Sequence, residues 1–112
     1  MSQFMLLLYD NPLDWRNVSP EEMQSAMDKY RAWTQKPFTK DAKRLADDPG
    51  RVIRSKGGRK RVLDGPYSET KEVLGGWYLI EAADYDEAIA VAMEHPHLEY
   101  GGTLEIRKVW GS

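Results

Sequence analysis

The run FMLLLY, residues 4 to 9, is apolar at alternate and intervening positions alike and is closed by Asp10, Asn11 and Pro12. That pattern predicts a short strand buried on both faces. Ser19-Pro20-Glu21-Glu22 then supplies an N-cap, a proline at the first helical position and a glutamate at N3, a capping box for the amide donors that a helix start leaves unpaired. Met23, Ala26, Met27, Tyr30 and Trp33 follow at helical spacing and predict one apolar face ending near Lys36 and Pro37. Residues 37 to 50, stopped by Asp48-Pro49-Gly50, read as a loop.

VIRSK and RKRVL flank Gly57-Gly58, a pair free to take positive φ, which predicts a two-residue β-hairpin. GWYLIEA reads as a further strand with apolar residues on both faces. Asp84 caps a second helix whose Tyr85, Ala88, Ile89 and Ala92 share a face and which Pro96 stops. TLEIRKVW, residues 103 to 110, alternates, with Leu104 and Ile106 opposite Glu105 and Arg107. The order is β-α-β-β-β-α-β.

Both helices of so compact a unit fall on one side of the sheet, yet two strands are apolar on both faces. The second face needs a cover, and a second copy of the same sheet is the simplest one. The expectation is an α+β, ferredoxin-like subunit with an antiparallel sheet, paired as a homodimer into a dimeric α+β barrel. The 112 residues are enough for one domain with its own core.

Zero cysteines exclude a disulfide scaffold and thiolate chemistry. The N-terminal apolar run is far short of the roughly 20 residues of a membrane span and follows no basic segment, so a cytoplasmic protein is expected. Charge is uneven. The chain is at −2 and residues 51 to 61 carry six Lys and Arg with no acid, leaving −8 on the rest. Nucleic acid is an unfavoured partner, because phosphate binding recruits a wide basic surface.

Chemistry concentrates in three places. Asp64, Glu69, Lys71 and Glu72 crowd the connection DGPYSETKEVLGG, where a carboxylate could act as general base and Lys71 could hold an anionic group. The bland reading is a polar loop bracing the hairpin. A two-residue loop places Lys56 opposite Arg59 and Arg54 opposite Arg61 on one face, a repulsive ladder that Glu69 and Glu72, or a bound anion, would offset. His95 and His97 flank Pro96 and are acid/base candidates if they face a cleft; a protonated cap at the helix C-terminus is the simpler role. No third His supports a metal site. Glu105 and Arg107 share one face, pairing across an interface or meeting a polar ligand. Trp15, Trp33, Trp77 and Trp110 are assigned to core or interface.

DGPYSETKEVLGGWYLIEA, with Tyr67 in the Phe position of its DGPY opening, resembles the signature of the DGPF family within the YCII-related superfamily. The FMLLLY opening, the SPEEM helix start and the closing Glu105-Ile106-Arg107 extend the likeness over nearly the whole chain. It implies dimers of ferredoxin-like subunits. It also implies two contexts, a dehydrochlorinase of aromatic breakdown and partners of extracytoplasmic-function sigma factors. The His and Asp pair proposed as catalytic in the YCII branch does not carry over, because this chain has no His before residue 95.

The leading expectation is therefore a homodimer that binds an anionic small molecule or catalyses proton transfer or elimination without a cofactor. Its catalytic candidates are Asp64, Glu69, Glu72 and His97, and its binding candidates Lys71, Arg54, Arg61 and Arg107. The alternative is a regulatory module associated with a sigma factor.

Overall fold

The computed structural model describes residues 1–67 and 71–112. In chain order it holds β1 (Ser2–Asp10), a 3-10 turn (Pro12–Trp15), α1 (Pro20–Thr34), β2 (Thr39–Arg44), β3 (Arg51–Lys56), β4 (Arg59–Asp64), β5 (Val73–Ala82), α2 (Tyr85–Ala92), α3 (Pro96–Glu99) and β6 (Thr103–Lys108). β1, β2, β5 and β6 form one sheet in the order β2-β5-β1-β6, and every adjacent pair is antiparallel. This is the ferredoxin-like α+β arrangement. β3 and β4 stand apart as a separate two-stranded sheet.

The N-cap half of the capping box forms as expected: the Glu22 amide donates to Ser19 Oγ at 3.1 Å. α1 buries Ala26 and Trp33 and α2 buries Ala88 and Ala92. Most of these pack on Phe4, Leu6, Leu8, Tyr78, Ile80 and Ala82 in one core cluster. The register aligns Phe4 with Ile80 and Leu6 with Tyr78, which by period two leaves Met5 beside Leu79 and Leu7 beside Trp77 on the other face. That face is open and its residues are half-exposed.

Two local expectations are corrected. Residues 39–44 form a strand where a loop was expected. TKDAKR hides its strand character because it is an edge: only Ala42 turns to the core, and the charged neighbours of an edge strand also discourage pairing with other chains. Pro96 stops α2 but also opens the short α3, with His95 as its N-cap. Of the four tryptophans Trp33 takes its place in the core, while in the single chain Trp15 and Trp77 are half-buried and Trp110 is 98% exposed. On α2, Tyr85 and Ile89 stay partly exposed; Tyr85 packs edge-on against Phe4 at 4.9 Å and its hydroxyl accepts the Lys108 amide.

Candidate functional site

Tyr9 sits where β1 meets both of its neighbours, paired with Leu74 on β5 and Thr103 on β6. The β1–β5 register shifts between Leu8 and Tyr9, because Leu8 faces Gly76 and Tyr9 faces Leu74, leaving Gly75 as the extra residue. The extra residue lies on β5, so β1 keeps its alternation and the Tyr9 side chain stays on the face of Met5 and Leu7. The Tyr9 hydroxyl donates to Glu105 Oε1 at 3.1 Å, and Glu105 Oε2 lies 4.0 Å from Arg107 Nη1. Thr103, Glu105 and Arg107 share one face of β6, and the Thr103 hydroxyl donates to Glu72 Oε1 at 3.1 Å. A phenol, two carboxylates, a guanidinium and a hydroxyl thus gather at one end of the open face, beside Leu7 and Trp77.

Burial and the bond to Glu105 both raise the Tyr9 phenol above its ordinary pKa, while Arg107 lowers it. Each effect follows from charge: a phenolate beside a carboxylate is repelled, and one beside a guanidinium is favoured.

Behind Tyr9, on the helix side, lies a second polar group. His97 Nε2 is 2.8 Å from the Tyr9 carbonyl oxygen, which can only accept, so this nitrogen carries a proton. The Tyr30 hydroxyl is 2.9 Å from His97 Nδ1. Tyr78 donates to the Tyr30 carbonyl at 3.0 Å. The ring of His95 is packed between Trp33 and Tyr78, with centroids 4.5 and 4.6 Å away. Burial raises Tyr30 far above its ordinary value and pushes Tyr78 up to about 12. The same burial, with His97 nearby, lowers His95 to about 3.

The two histidines are only 2% and 3% exposed. They face no cleft, and His95 is a neutral N-cap of α3 instead of the protonated C-terminal cap expected of it. His97 instead holds the backbone of Tyr9 from behind, while the side chain of Tyr9 acts on the opposite face. The chain makes room for His97 at Gly102, where any added Cβ would overlap the imidazole.

The remaining predicted site residues are spread out. Asp64 pairs with Arg51 at 3.6 Å at the root of the hairpin. Glu72 reaches the open face through Thr103. Lys71 is exposed. Arg54 lies over the Tyr67 ring at 5.2 Å. Arg61 is exposed and directly opposite Arg54, as the two-residue loop requires. An open concavity of about 590 Å³ is lined by Lys56, Arg59, Lys60 and Arg61. Glu69 lies outside the described residues. Sequence reasoning missed Tyr9, whose signal was the alternation of FMLLLY: its odd positions share a face, so Tyr9 had to lie on the same face as Met5 and Leu7.

Among the described residues, no group of three or more His, Asp or Glu is placed to hold a metal, and no helix is long and apolar enough to cross a membrane. A model of the YCII-related domain matches residues 2–111. The chain is 48% identical over 57 residues to an uncharacterized protein of Rhizobium meliloti (strain 1021), a stretch that is 50% of this chain and 46% of that protein. The match thus spans less than half the length of that relative.

Proposed function

The chain belongs to the YCII-related domain family, and from that premise we propose a homodimeric small-molecule protein whose site is the open face of the sheet. The observation that carries this is the Tyr9–Glu105 hydrogen bond, a phenol and a carboxylate from adjacent strands set at the border of an unpartnered apolar face. Met5, Leu7, Trp77 and Leu79 supply apolar contact area, and Arg107 supplies a charge for an anionic group. Face-to-face pairing of two such sheets would leave this polar end lining a cavity between them.

The chemistry that the group supports is proton transfer, including elimination. Glu105 is the base, Tyr9 the hydrogen-bonding partner that holds it and passes a proton on, and Arg107 the anchor of an anionic substrate. Glu72 and Thr103 border the same end. His97 is a positioning residue, acting through the backbone of Tyr9. No cofactor is invoked.

Calorimetry with small aromatic and aliphatic carboxylates tests the reading. Binding that weakens in Arg107→Ala and in Tyr9→Phe supports it; the absence of heat with every ligand class, from a verified dimer, overturns it. The regulatory alternative rests on a different observation, the exposed basic hairpin, and would be supported by salt-sensitive binding to an acidic protein segment.

A further inference from the structure

The β3–β4 hairpin is built at odds with its own stability. Arg54 faces Arg61 and Lys56 faces Arg59 in adjacent cross-strand positions, and like charges so placed destabilise a ladder. On the other face Ile53 and Val62 pair with each other while 70% and 68% exposed. Every residue of β4 is exposed, and only Val52 of β3 is not. A lone two-stranded hairpin is marginal in water even without such repulsion. Lys56, Arg59, Lys60 and Arg61 make no ion pair among the described residues, and Arg54 meets only the ring of Tyr67.

We propose that this hairpin is an arm that docks onto the acidic body of a second copy of the chain. The proposal rests on the dimer reading and deepens it by assigning the element that locks the pair. Charge complementarity selects the occupant: the segment 51–61 carries +6 and the remainder of the same chain −8, so a second copy offers the surface that the arm requires. The root fits as well. The Gly65 amide donates to the Gly50 carbonyl, and Leu45, just past β2, donates to Gly75, so the arm springs from the sheet end that also carries Tyr9 and Thr103. Strands of six residues reach roughly 20 Å, about twice the spacing of two sheets packed face to face. An arm of that length crosses a face-packed partner and sets Arg54, Lys56, Arg59 and Arg61 against its carboxylates, with Ile53 and Val62 available for apolar contact.

The test is the double charge reversal Arg54→Glu/Arg61→Glu. It keeps a like-charged 54–61 pair but gives it attractive same-face neighbours in Lys56 and Arg59, so the hairpin's internal ladder is not weakened by charge and a weaker dimer reports on the partner. Sedimentation over a dilution series at low and high salt should show the dimer's dissociation constant raised by about tenfold or more, with the salt dependence of the wild type largely lost. Ile53→Ser, which adds no charge, should weaken the dimer without altering that salt dependence. A dimer whose affinity and salt dependence are unchanged in both variants overturns the arm while leaving the open-face dimer standing. A wild type that is monomeric throughout overturns both. If the reversal abolishes binding to random-sequence duplex DNA and spares the dimer, the arm is a nucleic-acid contact and the proposal fails.

Discussion

The backbone N–H of His97 donates to Nδ1 of His95 at 3.0 Å, so the neutral His95 ring carries its proton on Nε2, a buried nitrogen with no hydrogen-bond partner among the described residues. Protonation would need Nδ1, and would break that bond while placing a charge among Trp33, Tyr30 and Tyr78.

Burial first, with His97 nearby second, depresses the folded-state pKa of His95 from 6.5 to about 3. The unfolded chain binds the proton more readily between those values, so this contribution to stability is complete above pH 6.5 and is lost as pH falls toward 3. Urea unfolding from pH 7 to 5 should show stability falling by up to about 1 kcal/mol per pH unit. His95→Asn keeps an acceptor for the His97 amide without a titrating group. It should be less stable at pH 7 and nearly flat in this range.

Gly102→Ala should destabilise the fold by about 1–3 kcal/mol, the range for overpacking a core, because the His97 ring is fixed between the Tyr9 carbonyl and Tyr30 and cannot yield. Tyr30→Phe leaves His97 Nδ1 buried without its partner, at a cost of roughly 1–3 kcal/mol. Denaturation of the two variants and their combination should give a non-additive sum, since both act through one imidazole.

Tyr9 should report its neighbours with opposite signs. Glu105→Gln removes a negative charge beside the phenol, so the Tyr9 pKa should drop, although burial, the largest cause of its elevation, keeps it above the ordinary value. Arg107→Ala removes a positive charge and should raise it further. NMR titration of labelled tyrosine separates these outcomes, and equal shifts in the two variants would show that the cluster does not form.

Patterns that concern one face of one element were legible in the sequence. FMLLLY and WYLIEA gave the two central strands, Ser19 and Asp84 the helix starts, and Gly57-Gly58, at φ 58° and 79°, the hairpin register down to Arg54 against Arg61. β2 was illegible because an edge strand facing water carries no alternation, its pairing being set by β5. The histidine pair was legible as chemistry but not as location: Trp33, Tyr30 and Tyr78 come from α1 and β5, and only their convergence buries His95. Tyr9 was hidden for a related reason, since its partner Glu105 lies 96 residues away in the chain.

The account stands on the open face of the sheet, and sedimentation velocity of wild type and Leu79→Glu across a dilution series tests it most directly. Leu79 lies opposite Met5 on that face and away from the buried cluster of Phe4, Leu6 and Ile80, so circular dichroism should show the variant still folded. The account predicts a wild-type dimer that persists on dilution and a Leu79→Glu chain that sediments as a folded monomer. A wild type that sediments as a monomer at every concentration, or a dimer that Leu79→Glu leaves intact, would contradict it.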